Sequence, residues 1–202
     1  MPDRSEANPQ ILRIMVERWS PRAFTGEAIP QADLDVMFEA AGWAPSAFNA
    51  QPWTFLYART GDAHWDGFLS CLFEFNQGWA RHAGVLVYVV SQHVTGTGED
   101  AKTSHSHSFD AGAAWALLAL QATAMGYHAH GMTGVDFDAA KALLGVPDTH
   151  RIEAAVAIGR RGDPATLPEP LQAREVPSGR KEVADIAVNG VFPFEQTIVQ
   201  KN

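Results

Sequence analysis

Apolar residues recur along the chain in two patterns, one typical of helices and one typical of buried strands. One helical face is predicted from four residues at i, i+3, i+4 and i+7: Leu34, Met37, Phe38 and Ala41. Continuous apolar runs predict strands at 53–58, 84–90 and 152–159. Further helices are predicted after Asn8-Pro9, around 65–73 and near 138–144, where Gly145 ends the helix. This mixture predicts a layered α+β domain.

The longest apolar segment runs from Phe109 to Met125 and stops at Gly126, which predicts a C-cap. It has almost no polar positions, and a helix without a polar face is buried on every side. In a chain this small, the segment indicates either a central core helix or a helix at a subunit interface.

Three further segments lack the apolar patterns of helices and buried strands. Residues 91–108 are polar and predict a surface loop, whereas four prolines between 163 and 180 predict an arm that crosses the surface in an extended form. The tail carries Val191, Phe192 and Phe194 without helical spacing, so we expect it to dock on its own subunit or on a partner.

Composition narrows the class of protein. The 202 residues include 15 Lys and Arg against 23 Asp and Glu, giving a net charge of −8, which argues against a general nucleic-acid-binding surface. No apolar run reaches the ~20 residues needed to cross a bilayer, and the start MPDRSEANPQ shows no secretory signal. The one cysteine, Cys71, cannot form an internal disulfide. We therefore expect a single-domain cytoplasmic protein that binds neither nucleic acid nor membranes.

The segment Arg18-Trp19-Ser20-Pro21-Arg22 is the first candidate for chemistry. Two guanidinium groups and a hydroxyl within five residues, at the end of a predicted helix, can form an anion site. The alternative is a basic turn in solvent, because short basic clusters are common on protein surfaces.

The second candidate is the loop from Ala44 to Trp53. Two prolines fix a segment in which Ser46, Asn49 and Gln51 offer donors and acceptors beside aromatic rings. Such a mixture suits a flat heteroaromatic ligand, whose edge needs hydrogen bonds and whose faces need apolar cover. The alternative is a structural loop whose amides satisfy backbone groups.

Together these segments resemble the start of the nitroreductase family of flavoproteins. The resemblance rests on ERWSPRAF and WAPSAFNAQPW, and it continues through FDAGAAWALLALQATAMGYHAHGMTG, LLGVPDTHRIEAAVAIGRRGDP and PSGRK, over roughly residues 10–190. It implies one nitroreductase-like domain over residues 1–202, with an arm from about 163. It further implies an α+β fold with a mixed or antiparallel sheet, and a homodimer that binds FMN between its subunits.

The resemblance assigns site residues by motif position. Arg18, Trp19 and Ser20 match the segment that holds the FMN phosphate and ribityl chain, and Arg180, with Lys181 as a helper, returns to that phosphate. Arg22 matches a basic residue near flavin N1 and O2, where a cation stabilises the reduced ring.

The remaining assignments concern the flavin ring. Pro45, Ser46 and Ala47 match the stretch that reaches the flavin of the neighbouring subunit. Asn49 matches a position at the ring edge, and Gln51 supports the loop itself. Met132, Thr133 and Gly134 match the turn that directs a backbone N–H toward flavin N5. Asn76 is a further candidate for the pyrimidine edge. Two residues depart from common family choices, because Ala47 lacks a hydroxyl and Thr133 stands where some members have an acid. No catalytic side chain is expected, since the chemistry takes place at flavin N5.

The histidines leave alternatives open. His105 and His107 could bind a metal, lie in a solvated loop or line the cleft, but no further ligands at suitable spacing complete a metal site, and we expect none. His128 and His130 are expected to be structural residues that bond backbone groups near the cleft. Trp115 is expected in the core, and Cys71 is expected to be an inert buried thiol.

These features favour an FMN-dependent oxidoreductase. NADH or NADPH would reduce the flavin and leave, and a small electrophile such as a nitroaromatic, quinone or activated alkene would then be reduced in the same pocket. A variant of this hypothesis is an enzyme that desaturates or dehalogenates a metabolite. The alternative from another class is a flavin-binding protein with a storage, sensing or partner-binding role. No GxGxxG motif offers the donor a site of its own.

Overall fold

The computed structural model describes residues 4–192, and its centre is a four-stranded antiparallel sheet in the order β1-β2-β6-β5. A separate two-stranded hairpin is formed by β3 and β4. The strands are β1 (Trp53–Arg59), β2 (Val85–Gln92), β3 (Val94–Thr95), β4 (Lys102–Thr103), β5 (His128–Met132) and β6 (His150–Gly159). The predicted α+β class and the three predicted strands are confirmed: β1 and β2 extend one and two residues beyond their predicted ends, and β6 begins two residues earlier than predicted.

Helices cover both faces of the sheet. They are α1 (Arg13–Glu17), α2 (Gln31–Gly42), α3 (Trp65–Ser70), α4 (Glu74–Ala80), α5 (His107–Ala124), α6 (Phe137–Leu144), α7 (Glu169–Gln172) and α8 (Val183–Ile186). The core on one face joins Val85, Val87 and Val89 to α2 and α5, and the core on the other joins Leu86 and Tyr88 to α3, α4 and α6. Because β2 lies between both cores, it is buried from residue 85 to 91, as its apolar run predicts.

Two predicted helices differ from the structure. The helix predicted around 65–73 ends at Ser70, because Cys71 O accepts from Asp136 N and Phe73 N donates to Gly134 O, which draws this backbone out of the helix. The α4 helix that follows from Glu74 was not predicted. The helix after Asn8-Pro9 begins only at Arg13 and has five residues. Its predicted apolar face finds little to pack against within this chain, since Ile11 and Met15 are exposed.

The α5 helix is buried on one side only. It begins two residues earlier than predicted, and its buried face includes Ala111, Ala114 and Leu118. On the opposite side Phe109 is 81% exposed, and Gly112 and Ala116 are exposed as well. No element among residues 4–192 covers that face, so this part of the chain alone does not bury the helix on every side.

The arm from 163 is partly docked rather than wholly extended. It contains α7, its Leu167 and Leu171 enter the core, and Glu175 is 4% exposed. Val191 and Phe192 of the tail are exposed, and Phe194 lies outside the described residues. The polar stretch 91–108 is not only a loop, because it contains β3, β4 and the start of α5. Among residues 4–192, no helix combines the length and apolar character that a membrane crossing requires.

Candidate functional site

Five arginines meet in one cavity of about 350 Å³, which we call the arginine cavity. Its walls also contain two serines and His130. The arginines come from the N-terminus, from the segment after α1 and from the arm: Arg4, Arg18, Arg22, Arg174 and Arg180. The predicted anion site is thus larger than the Arg18–Arg22 segment alone, and the arm supplies part of it.

Mutual repulsion marks this cavity as a site for negative charge. Burial lowers the pKa of Arg18, and the nearby charge of Arg180 acts in the same direction. Burial likewise lowers the pKa of Arg22, with Arg174 adding to the effect and Glu175 opposing it. The Arg18 Nη1 donates to Ser20 Oγ at 3.3 Å, so guanidinium and hydroxyl present donors side by side. An anion bound here would relieve the repulsion between the guanidinium groups.

Arg22 is held by its backbone rather than by its side chain. Its N–H donates to both oxygens of the Glu175 carboxylate, at 2.8 and 3.0 Å. The Arg22 Nε is buried and has no acceptor among residues 4–192, and the guanidinium lies 6.0 Å from the ring centre of Trp79. A buried charged donor without a partner is costly, so this group fits a ligand acceptor.

A second cavity of about 620 Å³ adjoins the first and shares Arg18 and Ser20 with it. We call it the apolar cavity, because most of its walls are apolar: Met15, Trp115, Ala116, Ala119, Leu120, Gly131, Met132 and Ala154, together with Thr133. Trp115 was expected in the core, but its half-buried indole forms part of this wall. A Cβ on Gly131 would lie 3.2 Å from that indole, so glycine allows the close contact.

The turn after β5 is held rigidly beside the apolar cavity. Gly134 O accepts from Phe73 N at 3.0 Å and from Asn76 Nδ2 at 3.1 Å, and Val135 N donates to Thr133 O at 2.9 Å. A Cβ on Gly134 would lie 2.3 Å from Asn76 Nδ2, which excludes other residues without rearrangement. Within the described chain, the N–H groups of Thr133 and Gly134 have no acceptor, so both remain available to a ligand.

The Pro45–Gln51 loop stands apart from both cavities. Of its residues only Ser46 is even partly buried, and none lines either cavity. Phe48, Asn49 and Gln51 have φ values of 52°, 55° and 46°, a region that side-chain-bearing residues adopt at a cost. The structure therefore gathers seven predicted residues around the cavities and leaves five on this loop. The seven are Arg18, Trp19, Ser20, Arg22, Met132, Thr133 and Arg180, with Gly134 adjoining them, and the five are Pro45, Ser46, Ala47, Asn49 and Gln51.

The loop's unusual backbone is nevertheless fixed in place. Asp110, which is 3% exposed at the start of α5, accepts from Ala47 N at 3.2 Å and from Ser106 Oγ at 3.0 Å. Ser46 Oγ accepts from Gln51 N at 3.0 Å. Gln51 Nε2 donates to Asn49 O at 3.2 Å, so Gln51 supports the loop itself. These contacts hold the loop in a strained form on the surface.

The histidines have separate structural roles. His130 Nδ1 lies 2.8 Å from Pro21 O, and its ring packs on Trp79, which confirms a histidine bonded to backbone. His128 makes no such bond, because its buried Nδ1 has no partner in the described chain and its ring meets Trp19 edge-on. His107 Nδ1 lies 2.8 Å from Ser91 Oγ, and His105 is exposed. Across residues 4–192, no three His, Cys, Asp or Glu side chains are grouped to hold a metal.

Cys71 is the buried thiol that its neighbours predict. Its Sγ lies 3.4 Å from Gly67 O, and burial raises its pKa, which disfavours the reactive thiolate.

Sequence reasoning missed four residues that organise the site. Asp110 carried a usable signal, because one carboxylate in an otherwise apolar helix indicates a buried partner. Glu175, Arg4 and Arg174 carried none, since their roles depend on how the arm and the N-terminus fold back onto the segment after α1.

Comparison with known proteins decides the family. The model of the nitroreductase family matches residues 15–74 and 72–160, which is well over half of the chain. The chain belongs to the nitroreductase family. A 15.4 kDa protein of Mycolicibacterium smegmatis, from the ask 5′ region, is 36% identical over 123 residues, or 60% of this chain and 80% of that protein.

Solved structures confirm the nitroreductase fold. An oxidoreductase containing FMN is 45% identical with a TM-score of 0.90, and the match covers 96% of this chain and 98% of that one. A protein from Desulfovibrio desulfuricans, described as a nitroreductase in complex with FMN, is 25% identical with a TM-score of 0.70, covering 93% and 100%. The predicted family and fold are therefore confirmed.

Proposed function

We propose that this nitroreductase-family protein is an FMN-dependent oxidoreductase that uses NADH or NADPH to reduce small electrophiles in a ping-pong reaction. The observation that carries the proposal is the union of an apolar cavity with an arginine cavity, joined at Arg18 and Ser20. A flavin mononucleotide has the same division, with a flat ring at one end and a phosphate dianion at the other. The FMN in the two similar structures supports the choice.

Residues of this chain fit the two ends of FMN. Arg18, Ser20 and Arg180 would hold the phosphate through charge-assisted hydrogen bonds, with Trp19 between the first two. The ring would lie against Met132, Thr133 and Gly134, where two N–H groups have no protein acceptor.

The chain contributes electrostatics and shielding rather than a nucleophile. When bound, FMN supplies hydride acceptance and donation at its ring. From its place in the arginine cavity, Arg22 would direct its positive charge toward the near edge of the ring, and its unpaired Nε would be a donor for the charge that reduction creates. The turn at Thr133 and Gly134 holds its N–H groups in place, because Asn76 and Phe73 clamp its carbonyl. Trp115 and Leu120 exclude water from the apolar cavity.

The functional unit in this proposal is a homodimer. The open face of α5 offers apolar surface to a second copy, and the Pro45–Gln51 loop, which lines neither of the two cavities, would reach the flavin of its neighbour. An obligate interface of this kind buries more than ~2,000 Å². A cytoplasmic location belongs to the same proposal, since a lone buried cysteine suits a reducing compartment.

Anaerobic mixing with a nicotinamide donor tests the enzymatic part. The protein should purify yellow, with about one FMN per subunit, and NADH or NADPH should bleach the flavin band within seconds. Adding a quinone or a nitroaromatic should then restore the band. Free FMN at the same concentration is the control for uncatalysed reduction. A band that persists with both donors would contradict the oxidoreductase and favour a flavin-binding protein without turnover.

A further inference from the structure

We infer that Glu175 is a positioning residue that latches the C-terminal arm across the phosphate end of the cofactor site. The inference deepens the proposed function and rests on it. Glu175 does not line the arginine cavity itself. Its neighbours Arg174 and Val176 do, and so do Ser178 and Arg180.

The Glu175 carboxylate makes three hydrogen bonds to backbone N–H groups 152 or 153 residues away in sequence. It accepts from Arg22 N at 2.8 and 3.0 Å and from Ala23 N at 2.9 Å. The side chain is buried, whereas Arg174, Val176 and Arg180 are exposed. Glu175 is therefore the buried anchor of a segment whose flanking residues carry the cavity's cations.

A carboxylate is chemically suited to this position. The five guanidinium groups of the cavity repel one another, so bringing the arm and its two arginines to the segment after α1 is electrostatically unfavourable. Buried negative charge bonded to backbone N–H groups offsets that repulsion without occupying the donors of the arginines. Glu175 thus places a negative charge beside the arginines by accepting from backbone rather than from their side chains, and this contact sets the place of the arm.

Latching and phosphate binding must then be coupled in both directions. If a docked arm strengthens binding of the FMN phosphate, FMN must strengthen docking of the arm by the same factor. A merely structural Glu175 would behave differently, because its loss would destabilise the fold without distinguishing FMN from riboflavin, which has the same ring and no phosphate. The ratio of the two affinities therefore separates a positioning role from a structural one.

The first test measures dissociation constants of FMN and riboflavin for apoprotein carrying Glu175→Gln. We expect FMN to bind at least 10-fold more weakly than to wild type, and riboflavin to change less than 3-fold. Glu169→Gln is the matched control, since Glu169 is an exposed residue of the same arm and should leave both constants unchanged. Equal weakening of both ligands, or no weakening, would overturn the positioning role.

The second test needs no variant and applies if Glu175→Gln fails to fold. Hydrogen exchange of the Arg22 and Ala23 amides is followed in wild-type apoprotein, with saturating FMN and with saturating riboflavin. Added protection by FMN beyond that by riboflavin supports the latch, and equal protection by both overturns it. Failure of the proposed function would look different: without a flavin site the wild-type protein would bind neither flavin, and without turnover it would bind FMN but keep its flavin band after NADH or NADPH is added.

Discussion

The arginine cavity and the Pro45–Gln51 loop are built in opposite ways, although both carry residues predicted for one site. The cavity draws arginines from positions 4 to 180 into one space within a single chain. The loop is continuous in sequence, yet its residues line neither the arginine cavity nor the apolar cavity, and Phe48 is fully exposed. Its backbone is nonetheless held in a costly conformation by Asp110.

The difference indicates which part of the site one chain can complete alone. A bound anion would relieve the repulsion among the guanidinium groups of the cavity. In the proposed dimer a neighbouring chain would complete the loop, whose strained backbone, enforced by a buried carboxylate, is of the kind that concentrates at functional sites. We therefore expect damage to the cavity to act within one chain and damage to the loop or to α5 to act across two.

The largest effect is expected from Gly112→Glu on the open face of α5. A Cβ at Gly112 meets no atom within 4 Å, so the folded chain tolerates a side chain there. A charge placed in a buried interface costs several kcal/mol, which should convert the dimer to a monomer and abolish FMN binding. Light scattering and the flavin content after purification measure the two outcomes.

Gly112→Ala is the control for this substitution. It adds the same Cβ without a charge, and it should keep both the dimer and the flavin. A Gly112→Glu monomer that retains FMN would show that one chain completes the site, and the comparison between cavity and loop would then be wrong.

The next effect concerns the cavity itself. Arg18→Ala removes a charge-assisted contact to the phosphate, which costs roughly 1.5–3 kcal/mol and weakens FMN binding about 10- to 100-fold. Arg13→Ala is the matched control, because Arg13 pairs only with Glu17 on the surface of α1. Titration of apoprotein with FMN gives both constants. An unchanged constant for Arg18→Ala would remove this residue from the phosphate site.

The difference between local and long-range contacts also explains how much of the fold could be predicted from the sequence. Local patterns were sufficient for β1, β2, β6 and α6, because their apolar runs and the Gly145 cap act over a few residues. Periodicity failed at residues 65–73, where backbone bonds to the turn at 134–136 break the helix. It also failed for the far side of α5, which residues 4–192 leave exposed.

The candidate site was predictable to a similar extent. Arg18, Ser20 and Arg22 lie within one short motif, so their convergence was visible as a pattern. The contributions of Arg4 and Arg174 depend on chain ends that fold back, and the anchoring roles of Asp110 and Glu175 depend on backbone N–H groups. A sequence displays side chains but not which N–H groups lack partners, and for this reason the anchors were missed.

A mixture of two inactive variants tests both regions together, with a smaller expected signal. Arg18→Ala damages the cavity, and Ser46→Trp damages the loop. When the two chains are unfolded and refolded together, half of the dimers are mixed and each contains one intact site. About one quarter of wild-type activity should therefore return. Refolding each variant alone is the control, and verified mixed dimers without any recovery would contradict a site shared between subunits.

The smallest expected effect comes from His130, which lines the arginine cavity and is bonded to Pro21 O. Burial lowers the pKa of His130, and Arg22 and Arg18 lower it further, against opposing effects of the Pro21 carbonyl and Glu175. A histidine whose pKa is depressed by folding contributes stability above its unfolded pKa of about 6.5, and this stability is lost as the pH falls through the folded pKa. The free energy of unfolding of the apoprotein should therefore decline below pH ~6.5.

In His130→Gln, whose amide can still donate to Pro21 O, this part of the decline should disappear even if stability is lower throughout. His82→Gln, at an exposed histidine, should keep the wild-type slope. Denaturant unfolding across this pH range measures all three, and an unchanged slope in His130→Gln would show that folding does not lower the pKa of this histidine.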